Sequence, residues 1–407
     1  MLLPLIKHTD RFFRISLPYV LPGSFRTSDK FALVLAFGEL SVLEACSVLR
    51  GLKYVEVPCG RIAVIDVEGS SAGFLPSLAG IHKFAPLVAQ FRSEKDSVAG
   101  LTGKVADKLE ELRRLAVSGY DVPEDDYELL VRILLDSVRD AGFKKVKLLR
   151  PKGNELLAEQ VLSREVLDVI AFPYGGGYGL GPTAWVSDVA SIRRRAMAKP
   201  APRSEISLSP RLARLLVNLS GLSADQLLLD PFCGSGTILA EGIAKSLACV
   251  GIDSSQARLS DAKKNLQWAK RNGARGLFRL EVGDARDIQD VLRSKADGIV
   301  TEPLLLPRLD YRPNDAAAEE MVGQASDIYS DALASMASAL KPGGRIVIVV
   351  PAILTTRGDE VAMTIDGGRL GLKEHQPGPS RFRYPVRLSF ESTRWVRRAV
   401  YVFESRP

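Results

Sequence analysis

The sequence predicts an α/β protein whose C-terminal half contains a mostly parallel β-sheet. From about residue 186 to the end, strand-like apolar runs alternate with helix-like segments, which is the order of a parallel sheet flanked by helices. The continuously apolar run "QLLLD" leads into a turn with two glycines and then a helix-like segment, as a buried central strand does. With 407 residues the chain is too long for one ordinary core, so two or three domains are expected.

The N-terminal half predicts a smaller α/β arrangement. Lys30 to Leu52 indicates a strand followed by a helix, and "YVEVPCGRIAVIDVEG" adds two strand-like pieces. Two helix patterns follow, around "SVAGLTGKVADKLEELRRLA" and "DDYELLVRILLDSVRDAGF", and then "KKVKLLRP" and "EVLDVIAF" as strands. The glycine-rich stretch "FPYGGGYGLGPTAW" indicates a domain boundary or an active loop near residues 172–185, or merely a linker. The expected divisions are an extension (1–30), an N-terminal region (31–180), a linker (181–202) and a C-terminal domain (203–407).

The composition is that of a globular protein that neither crosses a membrane nor holds a zinc ion. Apolar residues make up 46% of the chain and charged residues 25%. No run approaches the roughly 18 uncharged apolar residues of a membrane span, and the N-terminus lacks a signal-peptide layout, so a cytoplasmic location is expected. The four cysteines include no C-x-x-C pair and there are three histidines, so we expect reduced thiols and no metal.

The net charge of +7 lies entirely in the second half of the chain. Residues 1–180 hold 23 Lys and Arg against 23 Asp and Glu. The excess is clustered in "SIRRRAMAKPAPR" and in a tail with Arg381, Arg383, Arg387, Arg394, Arg397 and Arg398. Such clusters make a nucleic acid a plausible partner, although solvated surface charge beside a linker explains each cluster equally well.

The turn after "QLLLD" indicates a nucleotide-type pocket. Gly234 and Gly236 allow a tight turn and leave room for a ligand against the backbone at the carboxyl end of a central strand. The dinucleotide fingerprint G-x-G-x-x-G fails because Leu239 stands at the third glycine position, and a P-loop lacks its Gly-Lys-Ser/Thr. What remains is a turn beside Asp230, where a positively charged ligand group is favoured.

Two further predicted strands lead to acidic residues. "ACVGIDSS" reaches Asp253, which lies 17 residues after Gly236, about where a carboxylate can accept both hydroxyls of a ribose. "LFRLEVGDARD" reaches Asp284, near which an adenine could be held. A lone acidic residue after a strand is usually only a helix N-cap, but three after successive strands favour one shared site.

These motifs resemble a known family. "DPFCGSGTILAEG", with "GIDSS", "GDARD" and the preceding "MAKPAPRSEISLSPRLARLLVNLSG", is similar to the class I S-adenosylmethionine-dependent methyltransferases. More narrowly, the chain resembles the archaeal and eukaryotic THUMP-domain tRNA guanine-N2 methyltransferases, strongly from Lys199 to about Pro351 and more weakly in the N-terminal half. The resemblance implies an N-terminal ferredoxin-like and THUMP module followed by a Rossmann-like domain with a mostly parallel seven-stranded sheet.

The resemblance also implies S-adenosylmethionine as the cofactor and assigns residues to it. Those implied at its methionine end are Asp230, Pro231, Gly234 and Gly236; Asp253 is implied at the ribose, and Asp284 with Ala285 at the adenine. The stretch "TEPLLLP" stands where the family has Asp-Pro-Pro-Tyr or a Thr-Glu-Pro-Tyr variant. The implied catalytic residues are therefore Thr301, Glu302 and Pro303.

The chemistry explains why this last motif matters. The exocyclic amine of guanine is a weak nucleophile because its lone pair is delocalised into the ring. Glu302 and the carbonyl oxygen of Pro303 can accept its N–H bonds and so favour the pyramidal, attacking form. An aromatic ring after this proline would stack on the swung-out base, worth roughly 1–3 kcal/mol. Leucines stand there instead and offer contact but no π-face, which weakens catalysis without excluding it unless one of three tyrosines takes over the stacking: Tyr174, Tyr178 or Tyr311.

The resemblance implies tRNA as the partner, methylated in that family at the guanine in position 10. The candidate RNA contacts are Lys144, Lys145 and Lys147 in "FKKVKLLRPKG", together with Arg193, Arg194 and Lys199. Because alternate residues of a strand point the same way, Lys145 and Lys147 are expected on one face. An exposed edge strand protected by lysines explains the same residues.

Two other classes of function stay open. One is a methyltransferase that acts on DNA or protein, because an acidic-Pro strand end also serves amino groups of adenine and glutamine. The other is a non-catalytic RNA-binding protein that keeps the cofactor fold. The sequence carries no signal for oligomeric state, for an activating partner subunit, or for one added methyl against two.

Overall fold

The computed structural model describes residues 29–67, 73–93, 99–201, 208–303, 309, 311–379, 381–388 and 395–406. The expected N-terminal extension, residues 1–30, lies almost wholly outside the described residues. The chain divides into two compact units. The first holds the described residues up to Ala190, and the second nearly all of those from Ser191 onward.

The first unit is built of two sheets and their helices. Its described elements are, in chain order, β1 (Asp29–Leu35), α1 (Glu39–Val48), β2 (Leu52–Cys59), β3 (Ile62–Val67), a 3₁₀ turn (Leu75–Ser77), β4 (Ile81–Pro86), β5 (Ala89–Phe91), α2 (Ala99–Leu112), β6 (Arg114–Gly119), α3 (Glu124–Asp140), β7 (Lys147–Leu148), a second 3₁₀ turn (Lys152–Asn154), α4 (Ala158–Arg164), β8 (Leu167–Tyr174), β9 (Gly177–Pro182) and β10 (Trp185–Val186). The helix α5 (Val189–Ala198) follows, and the division between the units falls within it.

The first sheet has the strand order β10-β4-β1-β3-β2 and is antiparallel throughout. The order 4-1-3-2 for the first four strands, with α1 after β1, confirms the ferredoxin-like arrangement that the sequence predicts. Alternate residues of β1, Ala32 and Val34, are fully buried and belong to one apolar cluster with Ile170 and Phe172 of β8. The face of β1 that carries them therefore packs against the second sheet.

The second sheet has the order β5-β9-β8-β6-β7, in which β6 pairs in parallel with both β7 and β8. Helices α3 and α4 supply the connections that parallel pairs require. The glycine-rich stretch is not a boundary between the two units, because it forms the hairpin between β8 and β9 within the first unit. Gly175 and Gly176 turn this hairpin with φ of 58° and 78°, the left-handed values that a tight two-residue turn needs.

The segment 181–202 differs from the linker that the sequence suggests. Its first residues complete β9, and Trp185 then pairs with β4 and stacks on Phe84, with ring centroids 5.7 Å apart. Trp185 is buried, so these residues are part of the first sheet. The remainder of the described segment is mostly the helix α5.

A buried ion pair joins the two sheets of the first unit. Lys83 of β4 is 1% exposed and its Nζ lies 2.7 Å from Oδ2 of Asp168, which is fully buried on β8. Two hydroxyl groups complete the cluster, since Ser118 Oγ donates to Asp168 Oδ1 at 2.6 Å and Thr183 Oγ1 donates to Oδ2 at 2.8 Å. Each buried charge in this cluster is both paired and hydrogen-bonded, which is the condition for tolerating it.

Asp168→Ala is expected to destabilise the first unit by about 3–5 kcal/mol, because it leaves the Lys83 ammonium buried without its counter-charge. The double variant Lys83→Met with Asp168→Leu is expected to recover most of that loss, since both buried charges are gone. Urea unfolding of the two variants checks this. A single variant as stable as the double variant would contradict the account of the cluster.

The second unit alternates strands and helices, as the sequence predicts. Its described elements are α6 (Pro210–Leu219), β11 (Leu227–Asp230), α7 (Thr237–Ala244), β12 (Ala248–Asp253), α8 (Gln256–Arg271), β13 (Leu277–Val282), α9 (Ile288–Val291), β14 (Ala296–Thr301), α10 (Asp315–Ala339), β15 (Leu340–Leu354), β16 (Glu360–Ala362), a 3₁₀ turn (Gly368–Leu370), β17 (Leu372–Glu374), β18 (Val386–Leu388) and β19 (Val396–Ser405). Among the described residues, none of the helices combines the length and the apolar character that a membrane crossing requires.

One sheet forms the centre of this unit, in the order β13-β12-β11-β14-β15-β19-β17. The strands from β13 to β15 are parallel and β19 runs antiparallel to β15, so the mostly parallel sheet is confirmed, with nine described strands where the sequence predicts seven. Two short strands extend it, β16 on β15 and β18 on β19. The chain order reverses between β11 and β14, and ligands of such sheets bind at the carboxyl ends of the strands beside that reversal.

Candidate active site

A cavity of about 760 Å³ lies at the carboxyl ends of the central strands of the second unit. Three carboxylates from successive strands reach it: Asp230 at the end of β11, Asp253 at the end of β12 and Asp284 two residues after β13. Glu302 and Pro303, which follow β14, line the same cavity. The structure therefore brings together side chains that the sequence spreads over about 70 residues.

The glycine turn after β11 adopts the tight geometry that its sequence predicts. Gly234 and Gly236 have φ of 50° and 80°, where a side chain is disfavoured. Gly236 does not line the cavity. A Cβ at this position would lie 3.3 Å from Cβ of Ala262 on α8, so the glycine allows the turn to pack on that helix. A Cβ on Gly234 would meet no described atom within 4 Å, which leaves its cavity side open.

Asp253 holds the turn and also faces the cavity. Its Oδ2 accepts a hydrogen bond from the backbone N–H of Gly234 at 2.9 Å, and its Oδ1 accepts one from Ser255 at 2.9 Å. The residue is 7% exposed. Each carboxylate oxygen can accept a further hydrogen bond, so Asp253 can still bind a pair of hydroxyl groups.

Asp230 is buried at the base of the cavity. Its Oδ1 accepts hydrogen bonds from Thr301 Oγ1 at 2.7 Å and from the backbone N–H of Phe232 at 3.2 Å. Burial raises the pKa of Asp230; with the opposing hydrogen bonds from Thr301 and Phe232 and the smaller raising effects of the Asp253 and Glu302 charges, the pKa is about 7. Thr301 is fully buried behind Asp230 and is not a lining residue, contrary to its predicted place among the catalytic groups.

The raised pKa of Asp230 predicts that the protein loses stability as the pH rises. The protonated form is favoured in the folded state, so this contribution is fully present below about pH 4, the range of an unfolded Asp, and is lost as the pH rises to about 7. Asp230→Asn is expected to remove this loss, about 1.4 kcal/mol per pH unit in that range. Urea unfolding of both proteins at pH 5 and pH 8 measures it, and parallel pH dependences would contradict the prediction.

Asp284 is held by its neighbour Arg286. The Arg286 guanidinium donates to both carboxylate oxygens, with Nε 3.0 Å from Oδ1 and Nη2 2.7 Å from Oδ2. These hydrogen bonds lower the pKa of Asp284. A ligand amine at Asp284 must therefore share the carboxylate with Arg286, a residue that the sequence interpretation missed although it lies two positions further along. The neighbouring Ala285 is buried and lines the cavity.

Glu302 forms an ion pair that the sequence interpretation also missed. Arg398 of β19 is 6% exposed, and its Nε donates to Oε1 of Glu302. Burial raises the pKa of Glu302, and the Arg398 charge opposes that shift. The sequence assigns Arg398 to a basic tail. Strand parity gives no signal for this, because both faces of β19 are buried, with Val400 on the face of Arg398 and Ala399 on the face of Arg397.

Other tail arginines also make ion pairs within the second unit. Arg387 Nε lies 2.8 Å from Oε1 of Glu360, and Arg397 Nη1 lies 3.3 Å from Oε2 of the same residue. Arg394 lies outside the described residues. The described part of the tail is therefore less available to a phosphate backbone than its sequence suggests.

The structure separates the predicted RNA contacts into exposed and packed residues. Lys144, Lys145 and Lys147 are exposed, but β7 begins at Lys147, so Lys145 and Lys147 do not share the face of one strand. β7 is an edge strand of its sheet, as the alternative reading of these lysines requires. Arg193 and Arg194 are exposed on α5, whereas Lys199 is half-buried and its Nζ lies 3.3 Å from Thr237 Oγ1.

The three tyrosines proposed for base stacking differ in their surroundings. Tyr311 is 62% exposed. The hydroxyl of Tyr174 accepts a hydrogen bond from Lys30 at 3.0 Å, and that of Tyr178 donates to Asp126, both within the first unit. The leucines after Pro303 lie outside the described residues.

Comparison with known proteins agrees with this geometry. Residues 193–356 match the family model UPF0020, described as an RMKL-like methyltransferase domain. Over 193 residues the chain is 33% identical to the tRNA (guanine(10)-N2)-dimethyltransferase of Methanothermobacter thermautotrophicus, an alignment that covers 47% of this chain and 48% of that protein. Over 159 residues it is 32% identical to the Pyrococcus abyssi protein of the same name, covering 39% and 43%. The chain thus spans about half the length of the curated relatives it matches.

A solved structure extends the comparison to the whole fold. The crystal structure of TrmN from Thermus thermophilus is similar with a TM-score of 0.50 and 19% sequence identity, over 93% of this chain and 99% of that one. The second unit therefore has the Rossmann-like fold of methyltransferases, and the matching domain includes the glycine turn, Asp253, Asp284 and Glu302.

Proposed function

We propose that the protein transfers a methyl group from S-adenosylmethionine to the exocyclic N2 amine of a guanosine in tRNA. The observation that carries this proposal is the convergence of three carboxylates and the Glu302-Pro303 strand end on one cavity of a methyltransferase fold. The names of the two relatives described above support tRNA guanine as the substrate. By the same analogy, the target is the guanine at position 10.

The residues of the cavity fit the cofactor. Its volume of about 760 Å³ is within the range of small-molecule sites. The open side of Gly234 leaves room that a Cβ would fill. We assign Asp253 to the ribose hydroxyls, Asp284 with Ala285 to the adenine, and Asp230, Pro231 and Gly234 to the methionine end. When bound, S-adenosylmethionine supplies a methyl group on a positively charged sulfur, an electrophile suited to an amine.

The chain's own groups prepare the amine. Glu302 and the carbonyl oxygen of Pro303 accept the N–H bonds of the guanine amine, which localises the nitrogen lone pair for attack. Glu302 also takes up the proton that the nitrogen loses on methylation, and burial suits it to this because its pKa is raised. Thr301 acts indirectly by holding Asp230 through its hydroxyl.

Transfer of a labelled methyl group tests the proposal and separates it from its rivals. We expect the purified protein to move label from S-adenosylmethionine into tRNA and not into duplex DNA or a protein mixture. Label in DNA or protein would replace the proposed substrate class. Cofactor and tRNA binding without transfer would instead identify a non-catalytic RNA-binding protein.

We further propose that residues 31–180, which make up most of the first unit, form a ferredoxin-like and THUMP region that binds RNA, and that residues 203–407 form the methyltransferase domain. The exposed Lys144, Lys145 and Lys147, with Arg193 and Arg194, are the proposed phosphate contacts. Because residues 1–180 carry no net charge, the first unit binds through the local patch of Lys144, Lys145 and Lys147 and not through a long-range field. A tRNA substrate supports the cytoplasmic location that the sequence predicts.

Removal of the lysine patch is expected to weaken tRNA binding and flatten its salt dependence. The triple variant K144A/K145A/K147A loses up to three phosphate contacts, so the slope of log affinity against log salt falls by about 2–3. Filter binding between 50 and 200 mM salt measures the slope, with Lys263→Ala as a control for a lysine exposed on the second unit. Wild-type binding that hardly depends on salt would contradict phosphate contacts altogether.

A further inference from the structure

Arg398 is a buried arginine that contacts a cavity residue but takes no part in the proposed methyl transfer. Arg398 is on β19, where it pairs in register with Pro351 of β15 and Leu388 of β18. It is 6% exposed, yet its Nε donates to Glu302, a residue 96 positions away in sequence that lines the cavity. Because the neighbours of this strand are apolar, an apolar side chain would fit at the same position. The buried guanidinium therefore indicates a specific role for Arg398.

A gain in stability does not explain why a charged arginine is buried at this position. The desolvation of two buried charges offsets most of their attraction, and replacing such pairs by apolar residues is often neutral or stabilising. The effect of Arg398 on Glu302 is more specific. The contact fixes Oε1, and so restricts the orientation in which the carboxylate faces the cavity.

The surrounding groups define what Arg398 does to the charge of Glu302. Burial of the site favours the protonated acid of Glu302, and the neighbouring carboxyl is Asp230 on β11, whose own pKa the Glu302 charge raises. Tyr329 on α10 is buried, and its hydroxyl makes no hydrogen bond within the described part of the chain. Among these neighbours, Arg398 supplies the positive charge. Without it, Glu302 would be protonated to a higher pH, and a protonated carboxyl accepts neither the amine proton nor two N–H bonds.

We propose that Arg398 is a positioning residue that keeps the Glu302 carboxylate ionised and oriented toward the substrate amine. The inference rests on the proposed methyl transfer to an amine, and it adds a residue that sets the pH range of that reaction. Through Arg398, the antiparallel strand β19 contributes to a site otherwise built from the ends of parallel strands.

The pH dependence of single-turnover methyl transfer to tRNA tests this role. In Arg398→Gln the charge is lost but a hydrogen-bond donor remains, and we expect the acidic limb of the rate profile to move up by at least one pH unit. The rate should fall about tenfold at a pH on the acidic limb of the wild-type profile and recover as the pH is raised. Arg398→Lys restores the charge and is expected to return the limb to its wild-type position.

Arg345→Gln is the matched control, because Arg345 also lies on the central sheet and pairs with Glu404, with Nε 3.6 Å from Oε2, outside the cavity lining. It is expected to alter stability without moving the acidic limb.

A wild-type profile in Arg398→Gln, or a pH-independent loss that Arg398→Lys leaves unrestored, would overturn the inference. If Arg398→Gln does not fold, the pH–rate profile of Arg398→Lys is the test. An upward shift of the acidic limb in that variant would overturn the inference. A wild-type protein without methyl transfer would overturn the proposed function itself.

Discussion

Asp253→Ala is expected to weaken S-adenosylmethionine binding at least 100-fold. The variant loses two charge-assisted hydrogen bonds to the ribose, each worth roughly 1.5–3 kcal/mol, and about 1.4 kcal/mol corresponds to a factor of ten in affinity. It also removes the acceptor for the backbone N–H groups of Gly234 and Ser255, so the glycine turn loses its anchor on β12. Titration calorimetry with the cofactor measures the loss directly.

Two comparisons separate the ribose contact from the support of the turn. Asp253→Asn keeps one carbonyl acceptor and is expected to fall between wild type and Asp253→Ala. Asp290→Ala removes an exposed carboxylate of α9 outside the cavity and is expected to bind normally. Unchanged calorimetric affinity in Asp253→Ala would refute the assignment of this residue to the ribose.

Glu302→Gln is expected to lower the methyl-transfer rate by about 10²–10³. The amide can neither take up the proton of the amine nor accept its N–H bonds as strongly as a carboxylate. Cofactor affinity is expected to stay within about twofold, because Asp253 and the glycine turn are untouched. Single-turnover kinetics with tRNA and calorimetry with the cofactor together show that the loss lies in the chemical step.

The choice of glutamine follows from the buried ion pair. Glu302→Ala is also expected to lose methyl transfer, but it removes the carboxylate that pairs with the buried Arg398 guanidinium, at a cost of about 3–5 kcal/mol. Part of any loss in that variant would then be a loss of folded protein. Full activity in either variant, with a normal thermal midpoint, would remove Glu302 from the chemistry.

The sequence predicts the second unit well because its signals are local. The apolar run of β11, the left-handed glycines and the acidic strand ends all lie within short segments, and a parallel sheet necessarily gathers such strand ends at one edge. Asp230, Asp253 and Asp284 therefore meet in space as predicted. Glu302 follows the next strand and is found by the same rule.

The features that the sequence did not predict depend on contacts between distant segments. Arg398 pairs with Glu302 across 96 residues, and no local spacing reports such a pair. The hairpin at Gly175 and Gly176 is recognisable only once β8 and β9 are known to pair. Trp185 lies in a segment that resembles a linker in the sequence, and only its stacking on Phe84 of β4 shows that it belongs to a sheet.

Surface roles are the least predictable from local patterns. The sequence groups Lys199 with Arg193 and Arg194, but the structure packs Lys199 against Thr237 at the start of α7 and leaves the two arginines exposed. The strand expected to align Lys145 with Lys147 is only two residues long. Charge clusters in a sequence therefore indicate a partner class without identifying which charges are free to contact it.

Mass spectrometry of nucleosides from tRNA incubated with the protein and isotope-labelled S-adenosylmethionine tests the central claim most directly. The account predicts labelled N2-methylguanosine, or its dimethylated form, and its loss in Glu302→Gln. Label in a different nucleoside, or unmodified tRNA from a folded protein that binds the cofactor, would contradict it.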